Sequence, residues 1–113
     1  MLTIEKLREY GANVDEGLMR CMNKEEFYLM LVGKATEDNR LPLLESQLAE
    51  KDYEGAFGTA HTLKGMYANL ALTPLTEPVS RMTELLRSKT DTDYSALLTE
   101  AKEQFGKLKE AAG

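Results

Sequence analysis

The sequence has 113 residues, of which 42% are hydrophobic and 29% are charged, and its net charge is −5. A chain of this length and composition is typical of a folded globular domain, so we predict one domain over residues 1–113. Surfaces that bind nucleic acids or anionic membranes are rich in Lys and Arg. The acidic excess therefore argues against both classes of partner and favours protein partners.

The beginning of the sequence lacks the apolar segment and the small-residue cleavage site of a signal peptide. No apolar run approaches the roughly 20 residues that a helix needs to cross a bilayer. We therefore expect a cytoplasmic protein without membrane association. The only cysteine, Cys21, can form neither an internal disulfide nor a Cys-x-x-Cys metal site, and we predict that it is a small core side chain.

Apolar residues recur at helical spacing through most of the chain, and no stretch alternates long enough for a sheet, so the predicted fold class is all-α. A first short helix is expected from about Thr3 to Tyr10, ending at Gly11. A second begins after Asn13, whose spacing to Glu16 resembles a capping box. We expect these two helices to form an N-terminal cover.

The third helix is predicted to begin at Asn23, because its spacing to Glu26 repeats the capping signal. One side of this helix then carries Phe27, Met30, Leu31 and Ala35. Methionine adapts to irregular gaps between helices. We therefore interpret Met66, Met82 and the other methionines as core side chains without a chemical role.

The fourth helix is predicted from the position of Pro42, since the first turn of a helix tolerates the missing N–H of proline. Its inward side chains would be Leu44 and Leu48, and the helix should end near Lys51. Asp52 is a favourable N-cap for the fifth helix. That helix is predicted from about Tyr53 to Leu70 or Leu72.

Pro78 determines the predicted start of the sixth helix, because proline inside a helix clashes with the preceding turn. We place a turn at Thr73 and Pro74 and begin the helix at Glu77 or Pro78, with Val79, Met82 and Leu86 on its inward side. After a polar connector at residues 88–93, the last helix has one apolar stripe, formed by Leu97, Ala101, Phe105, Leu108 and Ala112. Four longer helices with short connections predict an antiparallel four-helix bundle with one or two short N-terminal cover helices.

The fifth helix contains the only histidine, His61. At about 100° per residue, its buried stripe comprises Ala56, Ala60, Leu63, Tyr67 and Leu70, and His61 points away from that stripe. The outward neighbours of His61 are Phe57, Gly58, Lys64, Gly65 and Ala68. For Phe57 two interpretations stay open, which are packing into the core beside Tyr53 and contact with a partner.

Gly58 and Gly65 require an explanation, because a glycine inside a helix costs about 1 kcal/mol relative to alanine. We interpret both as leaving the approach to His61 open. An imidazole is mostly neutral near pH 7 and can act as a nucleophile, and the Lys64 ammonium can stabilise phosphoryl oxygens. An outward His and Lys alone are typical of a solvated surface. The hypothesis of a reactive His61 therefore depends mainly on Gly58 and Gly65.

The segment around His61 resembles the signature of histidine-containing phosphotransfer (HPt) domains, with AHTLKG at residues 60–65 and NL at residues 69–70. These domains are the intermediate carriers of multistep two-component phosphorelays. The resemblance implies that His61 is the phosphoacceptor, that Lys64 stabilises the phosphoryl group, and that Gly65 leaves room for an incoming receiver domain. Gly58, Phe57 and Ala68 would line the same docking surface.

Three positions depart from the family pattern. Met66 and Tyr67 replace the usual small residues, and we interpret them as packing variants on the buried side. Ala71 stands where the family usually has glycine, so a less sharp end of the fifth helix is expected. None of these departures removes a reacting group.

The resemblance also implies partners, namely response-regulator receiver domains and a hybrid histidine kinase. The acceptor aspartate and Mg²⁺ would come from the receiver, so we expect no metal or cofactor in this chain. No glycine-rich phosphate loop is present, which predicts a relay partner and not a kinase or another enzyme. We expect a monomer.

Two alternatives belong to other functional classes. The first is a helical adaptor that docks on a receiver or a kinase without carrying phosphate, and the presence of His61 together with Lys64 argues against it. The second is a small enzyme with His61 as general base. It lacks a second catalytic group at reachable spacing and a predicted pocket.

Overall fold

The computed structural model describes all 113 residues and contains seven α-helices. They are α1 (Ile4–Tyr10), α2 (Val14–Arg20), α3 (Glu25–Glu37), α4 (Arg40–Ala49), α5 (Tyr53–Asn69), α6 (Thr73–Arg87) and α7 (Ser95–Ala112). The predicted all-α class is confirmed. None of the helices combines the length and the apolar character that crossing a membrane requires.

The predicted boundaries of the two N-terminal helices are confirmed by their caps. The Thr3 hydroxyl accepts a hydrogen bond from the Lys6 N–H at the start of α1, and the Asn13 side chain accepts one from the Glu16 N–H at the start of α2. α1 ends at Gly11, whose φ of 108° lies in the left-handed region that favours glycine. These signals are local, which is why the sequence revealed them.

The predicted cap of the third helix is wrong. α3 begins at Glu25, after Lys24, and Asn23 adopts a φ of 58° that is incompatible with capping it. The N–H of Asn23 instead donates to the Leu18 carbonyl at 2.7 Å. Asn23 therefore lies in the turn that follows α2, because asparagine tolerates the left-handed conformation found after a helix.

The buried side of α3 differs in part from the prediction, since Ala35 is buried as expected but the other buried residues are Tyr28, Val32 and Thr36. Phe27 and Met30 are 45% and 46% exposed. The Tyr28 hydroxyl donates to the buried Leu70 carbonyl at 2.8 Å, and burial raises the pKa of Tyr28 to about 12. α3 is thus turned by about one residue position from the predicted orientation, which places the Tyr28 phenol beside an internal acceptor.

The prediction that the methionines fill the core holds only in part. Met82 is buried and Met66 is half-buried against the core. The other four are exposed, namely Met1, Met19, Met22 and Met30. The short helices α1 and α2 and the outer side of α3 cover the core with one face only, so their remaining apolar side chains stay at the surface. Cys21 is buried as predicted.

The predicted start of the sixth helix is wrong as well. α6 begins at Thr73, with Pro74 in its first turn and Pro78 inside the helix. Pro78 is buried together with Leu75 in a helix that packs against both α5 and α7. The apolar burial outweighs the hydrogen bond that a helix loses at an internal proline. The prediction at Glu77 failed because it considered only the local cost.

The start of α5 is fixed where the sequence predicted it. The Asp52 carboxylate accepts a hydrogen bond from the Gly55 N–H at 3.0 Å. The Tyr53 hydroxyl donates to Asp91 at 2.7 Å, which ties α5 to the connector before α7. This hydrogen bond raises the pKa of Tyr53 to about 12 and lowers the pKa of Asp91. The first turn of α5 is therefore held at two points.

The other end of α5 is sharp, contrary to the expectation from Ala71. The Leu72 N–H donates to the Tyr67 carbonyl at 2.9 Å, and the Ala71 N–H donates to the Ala68 carbonyl at 3.0 Å. This is a Schellman ending, in which Ala71 occupies the left-handed position with a φ of 56°. Alanine there costs about 1–2 kcal/mol of strain. The Asn13 N–H, which donates to the Ala71 carbonyl, helps to hold the turn.

One apolar cluster of 21 buried residues joins the helices. α5 packs against α4 and α6, α6 packs against α7, and α7 also contacts α1 and α3. Three-residue connections separate α4 from α5 and α5 from α6, which is typical of antiparallel neighbours. The predicted stripe of α5 is buried at all five positions, namely Ala56, Ala60, Leu63, Tyr67 and Leu70.

Candidate functional site

The middle of α5 presents His61 to solvent. Ala60 and Leu63, which flank it in sequence, are fully buried, whereas His61 is exposed. Since both ends of α5 are tied to other parts of the fold, the imidazole stands on a rigid helix. The structure therefore places His61 on the outward face, as the helical pattern predicted.

The aromatic ring of Phe57 flanks the imidazole. The two ring centroids are 5.7 Å apart, and the ring planes differ by 18°. On α6, the Arg87 guanidinium lies 5.2 Å from the centroid of the Phe57 ring. Tyr53 pairs with Tyr94 instead, at 6.0 Å. Phe57 is half-buried against the core and restricts the orientation of the imidazole.

Small residues surround His61 on the remaining outward positions. Gly58, Gly65 and Ala68 are exposed, and a Cβ atom added at either glycine would meet no atom within 4 Å. Neither glycine is therefore required for helix packing. Gly33 on α3 and Gly106 on α7 are equally open, so open space by itself does not mark a docking surface.

Lys64 lies one helical turn from His61, and its Nζ is 3.7 Å from Oε1 of Glu84 on α6. The other carboxylate oxygen of Glu84 is 3.5 Å from the Arg87 Nε. The Lys64 and Glu84 side chains are 34% and 59% exposed, so this ion pair contributes at most about 1 kcal/mol to stability. The Lys64 ammonium is available to exchange its partner.

Sequence reasoning missed Glu84 and Arg87. In the sequence they form an ordinary i, i+3 charge pair on one helix, which is typical of a solvated surface. Only the packing of α6 against α5 brings them beside Lys64 and Phe57. No pattern in the sequence pointed to this proximity.

His61 lies outside the five best-defined surface grooves of the protein. No group of three or more His, Cys, Asp or Glu side chains is placed to hold a metal ion. The site offers an accessible imidazole nucleophile, a nearby ammonium and an unobstructed approach.

The sequence matches the family model of a known domain over most of its length. The matched residues, 32–111, belong to the Hpt domain model and include α4, α5 and α6 entirely, nearly all of α7 and the last six residues of α3. α1 and α2 lie outside the match. No curated protein and no solved structure matches the chain.

Proposed function

This chain belongs to the Hpt domain family, and from that membership we propose that it is a phosphocarrier that accepts and donates a phosphoryl group on His61. The family implies interaction with response-regulator receiver domains and histidine kinases. The observation that carries the proposal is the exposure of His61 on α5, one turn from Lys64 and between two glycines with open surroundings. The protein exchanges its phosphoryl group with the aspartate of a receiver domain.

In the transfer step, an unprotonated ring nitrogen of His61 attacks the phosphorus of the receiver's aspartyl phosphate. A P–N bond forms, the P–O bond breaks, and the aspartate leaves as a carboxylate. The imidazole keeps the proton of its other nitrogen, which then exchanges with solvent. Lys64 stabilises negative charge on the phosphoryl oxygens during the step. The reverse reaction uses the same groups.

The partners supply the remaining chemistry in this proposal. The receiver contributes the aspartate and the Mg²⁺ that neutralises phosphoryl charge, and an upstream hybrid histidine kinase contributes ATP-dependent phosphorylation. The chain works as a monomer in the cytoplasm and carries neither a metal nor a nucleotide.

The proposal is tested by labelling the protein with two phosphodonors, a phosphorylated receiver domain and phosphoramidate, which needs no partner. We expect a phosphoryl group that is stable in alkali and lost in acid, because phosphohistidine hydrolyses in acid. The adaptor alternative predicts binding to the receiver without label. Absence of acid-labile label from both donors overturns the phosphocarrier assignment.

Replacing Gly65 with glutamine tests whether the open surface serves access. Because an added side chain meets open space, Gly65→Gln should preserve the fold and raise the free energy of unfolding by up to about 1 kcal/mol. It should nevertheless slow transfer from a receiver about tenfold, corresponding to roughly 1.4 kcal/mol of lost docking energy. Melting curves and single-turnover transfer rates measure the two effects.

Gly106→Gln is the matched control, since Gly106 is an equally open helix glycine on α7. This variant should transfer phosphate at the native rate. Labelling of Gly65→Gln by phosphoramidate should also stay close to native, because a small donor needs little room. If Gly65→Gln melts early, or takes phosphate from the receiver at the native rate, the access argument is wrong.

A further inference from the structure

The Glu84 carboxylate on α6 is shared between two cations, Lys64 and Arg87. Its Oε1 is 3.7 Å from the Lys64 Nζ, and its Oε2 is 3.5 Å from the Arg87 Nε. Arg87 in turn lies over the Phe57 ring, which stacks on the imidazole of His61. The Glu84 carboxylate therefore already pairs with Lys64, the cation that a phosphoryl group on His61 would use.

A phosphoryl group on His61 would compete with Glu84 for Lys64. Lys64 lies three residues after His61 on the same helix, a rise of about 4.5 Å, so its flexible side chain can serve either anion. The phosphoryl group carries more negative charge than a carboxylate, and the ion pair with Glu84 is exposed and weak. An exchange of partner by Lys64 is therefore inexpensive.

Arg87 compensates the charge of Glu84 when Lys64 exchanges its partner. When Lys64 turns to the phosphoryl oxygens, the Glu84 carboxylate keeps its contact with Arg87 and does not lose all compensation of its charge. The exchange nevertheless breaks the ion pair between Lys64 and Glu84. The loss of this ion pair raises the energy of the phosphorylated state relative to the free state.

We propose that Glu84 is a positioning residue that competes with the phosphoryl group for Lys64, weakens phosphorylated His61 and so favours onward transfer to a receiver. This inference rests on the proposed function of His61. Glu84 touches neither the imidazole nor the phosphoryl group in this mechanism and acts through the Lys64 ammonium. The chain thereby limits how long it retains the phosphoryl group.

Glu84→Gln tests the proposal, because it removes the charge and keeps the shape of the side chain. At equilibrium with a receiver domain, the ratio of phosphorylated protein to phosphorylated receiver should rise about two- to fivefold, the range of an exposed ion pair. The rise should shrink at high ionic strength, since salt screens exposed charges. Glu77→Gln is the control, because Glu77 is exposed, lies two turns earlier on α6 and has no ion pair.

A double-mutant cycle with Lys64→Ala tests whether Glu84 changes the phosphorylation ratio through Lys64. If Glu84 acts through Lys64, Glu84→Gln should leave the ratio unchanged in the Lys64→Ala background. An equal shift in both backgrounds, an equal shift for Glu77→Gln, or no shift in the native background overturns the proposal. Failure of the native protein to take label would instead overturn the function of His61, so the two failures are distinguishable.

Discussion

Replacing His61 with glutamine is expected to abolish acid-labile phosphorylation of this protein by receiver domains and by phosphoramidate. His61 is the only histidine, so no other imidazole in the chain replaces it as nucleophile. Glutamine has similar polarity but no nucleophilic ring nitrogen. The loss should be complete within the detection limit of ³¹P spectroscopy or radiolabelling.

The fold should survive this substitution, which makes the result interpretable. His61 is exposed, and its main contact is the stack with Phe57. Glutamine also has a slightly better helix propensity than histidine, so the melting temperature should change little. Acid-labile label on a folded His61→Gln protein would show that both the site and the mechanism are wrongly assigned.

Replacing Lys64 with alanine is expected to slow phosphotransfer by about ten- to a hundredfold, or roughly 1.4–2.7 kcal/mol of transition-state stabilisation. The ammonium lies one turn from the nucleophile and pairs only with Glu84, a partner that it can exchange for the phosphoryl group. The substitution removes this cation while leaving the imidazole and the open approach in place. Single-turnover rates with a phosphorylated receiver measure the effect.

Two further variants distinguish stabilisation of the phosphoryl group by Lys64 from the loss of any positive charge at the surface. Lys107→Ala removes an exposed positive charge from α7 and should leave the rate unchanged. Lys64→Arg keeps the charge on a longer side chain and should restore most of the rate. An unaltered rate for Lys64→Ala would show that Lys64 is an ordinary solvated lysine without a role in transfer. The proposal that Glu84 acts through Lys64 would then be wrong as well.

The features of α5 show how much of the candidate site was predictable from the sequence. Its start at Asp52 is a local cap, and its orientation follows from five apolar residues that share one narrow sector over about four turns. His61, Lys64, Gly58 and Gly65 lie on the same helix, so their relative positions follow from the helical repeat alone. The prediction succeeded there because each step used a single element.

The errors at α3 and α6 have a different physical origin. Residues 27–32 include apolar side chains on more than one side of α3, and the packing of Tyr28 and Val32 in the core, together with the Tyr28–Leu70 hydrogen bond, determines which side is buried. At α6, local rules correctly assign a cost to Pro78, but its burial when α6 packs against the other helices outweighs that cost. In both cases the decisive partner is distant in the sequence, and its contribution could not be assessed beforehand.

By itself, therefore, the sequence determined the all-α class, the end of α1 at Gly11, the N-caps of α2 and α5, and the outward position of His61, because hydrogen bonds and periodicity within one helix specify them. The tertiary structure alone decided which side of α3 is buried, that α6 continues through Pro78, and that Glu84 and Arg87 lie beside Lys64 and Phe57. The physical reason is that these features depend on side-chain contacts between helices, whose energies outweigh local propensity and leave no periodic signal in the chain.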